Sequence, residues 1–170
     1  EPLADYPIQP ARYSDVRLTD TFWKPKVALN AGVTIPFEVE KAGDGARGLR
    51  AGVLEAAILS LATHPNPTLQ RQVDDRVRAI AQVPASGNGG FEIAATYFNT
   101  TGRRDLLDPS IKAADALYEN FRTANPPFSG GERDAMNCIQ LYRSTHDKTH
   151  LDLAKHYLDI RRLASSAHIS

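Results

Sequence analysis

The sequence predicts an all-α fold built from helical hairpins, and three observations carry that prediction. Apolar residues recur at three- and four-residue steps over most of the chain after residue 49. The connections between helices repeat one pattern three times. Gly- and Pro-rich stretches fall between the repeated units rather than inside them.

Residues 1–25 read as an extended N-terminal arm. Pro2, Pro7 and Pro10 remove backbone donors and fix φ, so no regular helix forms there. Val16 and Leu18 alternate with Asp15, Arg17 and Thr19, the period of a short strand or edge segment. Phe22 and Trp23 could stack a sugar ring, but a paired aromatic in a Pro-rich arm is read here as an anchor docked into the helical body. A short first helix is expected next, ending at Ile35-Pro36.

Residues 26–170 read as one helical-hairpin domain. Val53, Leu54, Ala57, Ile58 and Leu61 make one apolar stripe; Leu69, Val73, Val77 and Ile80 make the next. Phe91, Ala94, Ala95 and Phe98 mark a third helix, and Leu107, Ile111, Ala114, Leu117 and Phe121 a fourth. Met136, Ile139 and Tyr142, then Leu151, Ala154 and Leu158, mark a fifth and sixth. Alanine is placed where helices approach most closely.

The connections share a signature. In Thr63 to Leu69, Thr101 to Leu107 and Thr145 to Leu151, a Thr closes one helix and a Leu six positions on opens the next. Successive Thr residues are 38 and 44 positions apart, a spacing typical of stacked helical hairpins. Such hairpins stack into open solenoids or close into toroids. Solenoid repeats have short, regular inter-repeat turns. Here Pro84 to Gly90 and Ala124 to Gly131 are long, Gly-rich and unequal, so the expected architecture is part of an (α/α)6 toroid whose loops frame a pocket.

Composition narrows the function. Twenty basic residues balance twenty acidic ones in a chain of 170, which leaves no basic field for a nucleic-acid backbone. No apolar run reaches the roughly 20 residues a membrane span needs, so no membrane partner is expected. The single cysteine, Cys138, excludes an intrachain disulfide and a Cys-rich zinc site. The opening Glu1-Pro2-Leu3 is read as a processed or trimmed N-terminus, with a lean towards an extracytoplasmic location.

Several stretches together resemble the beta-L-arabinofuranosidase family, glycoside hydrolase family 127. Tyr6 to Pro10 and Asp15 to Pro25 are similar to that family's N-terminal arm, continued by Thr34-Ile35-Pro36 and Glu40-Lys41. Leu54 to Ala57 and Leu61 to Pro65 resemble its next helix and turn. Gly130-Gly131-Glu132, Leu141-Tyr142-Arg143 and Leu151 to Arg161 resemble a later hairpin. The resemblance runs over most of the chain in the family's order. It implies the N-terminal part of a catalytic (α/α)6 barrel and a carbohydrate partner. It further implies retaining hydrolysis of terminal furanosides by a cysteine nucleophile on zinc, with a glutamate acid/base. Those groups fall in a later part of the family sequence. No Glu-x-Cys or Cys-Cys motif occurs here, so catalytic residues and zinc are expected to lie outside this chain, and Cys138 is not assigned the nucleophile. The family's substrate-contacting His after the helix-leading Gly is replaced at both positions, Gly90 and Gly131, which implies a different sugar or a lost contact. The connections near 41–52 and 82–90 look shorter than the family's, through deletion or through residues missing from this sequence.

The candidate substrate-binding residues are Asn88, Gly90 and Glu92 at one inner-helix start, and Gly131, Glu132 and Asp134 at another. Gly-Gly followed by an acid offers free N–H groups and a carboxylate to sugar hydroxyls; the same pattern also serves simply as a loop and a dipole-complementing acid. Glu132 and Asp134 are two apart and splay to different helix faces, so they are no catalytic pair. His64, His146 and His150 fall in the tight turns and are read as turn and cap residues, His156 as a helix-surface residue, and His168 as part of the tail, so no metal site is expected. Two functions stand: the N-terminal half of a glycoside hydrolase, or a non-catalytic helical module binding a sugar or a protein. An intact mass near 18.6 kDa favours the second, and a much larger one the first. A half-toroid alone would leave apolar flanks uncovered and is expected to associate with itself unless a C-terminal half covers them.

Overall fold

The computed structural model describes residues 11–42, 51–82, 90–123 and 132–167. The helices are α1 (Trp23–Leu29), α2 (Ile35–Ala42), α3 (Ala51–Thr63), α4 (Pro67–Ala81), α5 (Phe91–Thr101), α6 (Leu107–Thr123), α7 (Glu132–Thr145) and α8 (Lys148–Ala167). No strand occurs among the described residues. The all-α hairpin architecture is therefore as expected. Residues 16–19, expected to be extended and edge-like, have no strand among the described residues to pair with, and Val16 stays exposed.

The arm departs from expectation at its aromatics. Asp20 Oδ1 accepts from the N–H groups of Phe22, at 2.9 Å, and Trp23, so this carboxylate starts the helix. Those hydrogen bonds, the one from Trp23 foremost, hold its pKa below the ordinary carboxylate value. Starting the helix here turns both rings outward. They meet each other edge-to-face at 5.0 Å, with the Lys26 ammonium over the Phe22 ring, and more than half of each side chain faces solvent. The described part of the arm that rests on α3 is instead the short 3-10 turn at Tyr13–Asp15, with Tyr13 itself 47% exposed.

The first helix also runs further than expected. A π-helical turn at Asn30–Thr34 joins α1 to α2 without a break. Pro36 cannot donate to the carbonyl four residues back and its ring crowds that carbonyl. The wider coil just ahead of it relieves both problems, so Ile35-Pro36 lies inside a continuous rod from 23 to 42.

The repeated Thr has a concrete role. Thr101 Oγ1 donates to Tyr97 O at 2.6 Å and accepts from Arg103 N–H at 3.1 Å. Thr145 Oγ1 donates to Leu141 O at 2.9 Å and accepts from Asp147 N–H at 3.3 Å. One hydroxyl thus satisfies a last-turn carbonyl and an amide just beyond the helix. Left-handed residues follow: Gly102 at φ 74° and His146 at φ 59°. In the first turn Asn66 takes over, its Oδ1 accepting from Thr68 and Leu69 N–H at 3.1 Å each, with Pro67 at the first helical position.

Helices α3, α5 and α7 lie side by side, α3 against α5 and α5 against α7. They are parallel. Thr96, in the second turn of α5, bonds Glu55 in the second turn of α3, and Asn99 of α5 bonds Ser144 of α7, further along in the same direction. The partner helices α4, α6 and α8 cover one side of this layer, and α1–α2 packs on α3 and touches α4. Two apolar clusters hold the arrangement. Leu54, Ala57, Ile58, Leu69, Val73 and Val77 join α3 to α4, with Ile35, Val39, Ala94 and Tyr97. Phe91, Leu107, Ala114, Cys138, Leu141, Leu153 and Tyr157 join the later hairpins. Each fully buried Leu or Val contributes about 1.5–3 kcal/mol. Alanine does sit at the tightest contacts: Ala57, Ala94, Ala114 and Ala135 are all buried. The exposed ion pairs add little. Arg103 is a partial exception, since it reaches Asp105 at 3.0 Å and Asp74 of α4 at 3.2 Å while lying over the Tyr97 ring.

Candidate functional site

Because each hairpin reverses the chain, the starts of α3, α5 and α7 fall at one end of the parallel layer and the Thr turns at the other. The candidates Gly90, Glu92, Glu132 and Asp134 all belong to that first end. Asn88 and Gly131 lie outside the described residues. Gly90 precedes α5 with φ −104°, a conformation open to any residue, and its carbonyl accepts from Ala94 N–H at 3.0 Å. No side chain caps α5, and a Cβ at Gly90 would meet nothing within 4 Å. The first-turn amides of α5 are thus crowded by no side chain at position 90. Glu92 is half-buried in that first turn, and Glu132 is exposed at the first position of the neighbouring α7.

Asp134 sits differently. It stands four residues before Cys138 on the same helix face, and its charge adds to the burial that raises the pKa values of the Cys138 thiol and the Tyr157 hydroxyl. Cys138 is fully buried, and burial first, then Asp134, pushes its thiol up to about 12. A thiol in that state supplies no thiolate at neutral pH.

The face of α3 and α5 left bare by α4 and α6 carries a second set of groups. Thr96 Oγ1 donates to Glu55 Oε1 at 2.7 Å, and Asn99 Nδ2 donates to Ser144 Oγ at 3.1 Å. Beside them a cavity of about 330 Å³ is lined by Leu59, Ala62, Thr96, Asn99 and Thr100, with Arg12 to Ser14 of the arm across it. It lies towards the Thr-turn end, away from the Gly-led end. The sequence reading named none of these residues. A signal existed at Thr96, a polar residue inside the apolar run Phe91 to Tyr97, which when buried must find a partner.

The histidines fall at the turns. His64 Nδ1 is 2.9 Å from Thr63 Oγ1, and His146 N–H donates to Tyr142 O at 2.7 Å in a left-handed cap. His150 is buried, its Nδ1 2.9 Å from Thr145 Oγ1; because that hydroxyl already donates to Leu141, the imidazole nitrogen is the donor. His156, expected on the helix surface, stacks against the Phe121 ring at 3.4 Å. Among the described residues no three His, Cys, Asp or Glu side chains gather as metal ligands would. Among them, too, no helix is long and apolar enough to cross a membrane.

No protein-family model matches the sequence, and no curated protein matches it. Solved structures do match. The chain superposes on a GH127 beta-arabinofuranosidase with a TM-score of 0.68 at 23% identity, over 89% of this chain and 34% of that one. It superposes on another glycoside hydrolase with a TM-score of 0.65 at 19% identity, over 85% of this chain and 26% of that one. The chain therefore has the fold of part of the GH127 (α/α)6 barrel and spans about a third or less of the length of these two proteins.

Proposed function

We propose that this chain is the N-terminal part of the catalytic barrel of a glycoside hydrolase of the beta-L-arabinofuranosidase type. The reaction is retaining removal of terminal furanosyl units from glycans. The observation that carries this reading is the convergence of three parallel inner helices. Their N-terminal ends share one end of the layer, Glu92 and Glu132 stand in the first turns of adjacent helices, and the Glu55–Thr96 and Asn99–Ser144 pairs lie further along the same helices. Helix N-termini offer N–H donors, and carboxylates accept from sugar hydroxyls, so this edge suits a neutral polyhydroxylated ligand.

The nucleophile and acid/base belong, in this reading, to polypeptide beyond residue 170. No step is assigned to Cys138, and none is routed through zinc. The residues of this chain bind and orient the sugar. The experiment is a panel of 4-nitrophenyl furanosides and pyranosides offered to the full-length protein. Release of nitrophenol from an arabinofuranoside supports the proposal; release from pyranosides alone, or from none, contradicts it.

A further inference from the structure

A second cavity, of about 190 Å³, lies where the 3-10 turn, the rod from 23 to 42 and the last turns of α3 meet. Ile35 and Leu59 are among its apolar walls, and Tyr13, Asn30, Ser60 and His64 supply its polar ones. Among the described residues no Asp, Glu, Lys or Arg lines it. Ser60 is the unusual member. Near the ends of α5, α6 and α7 each hydroxyl donates to the carbonyl four residues back: Thr101 to Tyr97 O, Thr123 to Glu119 O, Ser144 to Gln140 O and Thr145 to Leu141 O. Ser60 is 5% exposed, and its Oγ has neither that bond nor any other partner. A shielded hydroxyl left unpaired is costly. The Nδ1 of His64 is engaged with Thr63 Oγ1 at 2.9 Å, which leaves Nε2 as the ring's other polar atom.

We propose that this cavity is a second carbohydrate site, which holds one neutral sugar ring and takes no part in hydrolysis. Its size fits a ring: about 150 Å³ accepts a six-membered ring, whereas a single water needs only about 10–15 Å³. Its walls fit a sugar. The apolar side chains and the Tyr13 ring suit the C–H face of a sugar, and the Ser60 hydroxyl, the Asn30 carboxamide and His64 Nε2 offer donors and acceptors for its hydroxyls. With no charged side chain in the lining, a phosphate or carboxylate would find no counter-ion, so the ligand is neutral. A purely apolar guest of the same size would leave Ser60 Oγ unpaired; a hydroxylated ring supplies the partner. Ser60 and His64 stand at the Thr-turn end of α3, so this site is remote from the Gly-led end of the layer.

The test is footprinting of the full-length protein with diethyl pyrocarbonate, which carbethoxylates accessible imidazoles, read site by site by mass spectrometry. His64 is half-buried in the cavity wall, and His146, exposed in the corresponding turn between α7 and α8, is the internal reference. L-Arabinose at up to about 100 mM should slow modification of His64 saturably, by about threefold or more, and leave His146 unchanged. Ser60→Ala should raise the half-protecting concentration about fivefold, the effect of one lost hydrogen bond. The same variant should keep or raise the melting temperature of the free protein, since it deletes an unpaired hydroxyl. Absent protection of His64, equal protection in Ser60→Ala, or equal protection by benzyl alcohol overturns the proposal. A lowered melting temperature in Ser60→Ala overturns it too, because the hydroxyl would then be bonded within the fold. The nitrophenyl panel reads the Gly-led end separately. Protection of His64 without nitrophenol release upholds this site and sinks the proposed hydrolase; release without protection sinks this site alone.

Discussion

The two ends of the hairpins are made differently. At the Thr-turn end, side chains and left-handed residues close the helices: Asn66 caps α4, Thr101 and Thr145 close α5 and α7, and Gly102 and His146 take left-handed conformations. At the other end α5 starts from Gly90 with no side-chain cap, and acids occupy the first turns of α5 and α7. Among the described residues the side-chain caps gather at the turn end, and the Gly-led end is the one where we propose that a ligand is held.

Substitutions can break or sharpen that contrast. The largest effect is expected in the core beneath the turn end, where Leu141→Ala in the second apolar cluster should cost about 2–5 kcal/mol in chemical denaturation. At the turn end, Thr145→Val removes the bonds to Leu141 O and His150 Nδ1 and strands a buried imidazole. A loss of about 1–3 kcal/mol is expected. Asn66→Ala should cost about 1 kcal/mol through the lost cap. Gly90→Ala, with open space around its Cβ and negative φ, should leave the melting temperature unchanged or slightly raised. A large loss there would mean that the Gly-led end is structural after all.

Protonation offers a further probe of the turn end. Burial, against smaller opposing contributions from Asp147 and Asp115, holds the His150 pKa below the ordinary imidazole value of 6.5. The unfolded chain therefore binds the proton more readily than the folded one as pH falls. His150 contributes its full stability above pH 6.5, and that contribution declines as pH drops from there towards the lower folded pKa. His150→Gln should flatten the dependence of stability on pH between 7 and 5. An unchanged slope would move the burden to another group, His156 being the next candidate because burial lowers its pKa too.

Much of the fold was legible because its causes are local. The stripes at Leu54–Ile58 and Leu69–Val77 obey helix periodicity, and the Thr signature marks where a hydroxyl must close a helix. The arm was harder. Whether Phe22 and Trp23 point inward depends on where the helix begins, and Asp20 fixed that through two backbone bonds that periodicity does not register. Pro36 looked like a terminator, but the π-helical turn ahead of it absorbs the clash. For the site, residue types and spacing located the end of the layer. Asp134, though, falls one turn before the buried Cys138 on the same helix face, and the Glu55–Thr96 pair joins residues 41 positions apart, beyond any local pattern.

The most direct measurement is kcat/KM on a 4-nitrophenyl arabinofuranoside for the full-length protein carrying Glu92→Gln, set beside Asn66→Ala. The account predicts that Glu92→Gln lowers kcat/KM by about tenfold or more, roughly one lost charge-assisted hydrogen bond, with the melting temperature unchanged. Asn66→Ala should do the reverse, lowering the melting temperature and leaving kcat/KM at 25 °C intact. If Glu92→Gln turns over the substrate like the parent protein, the Gly-led end of the inner helices is not where the sugar binds.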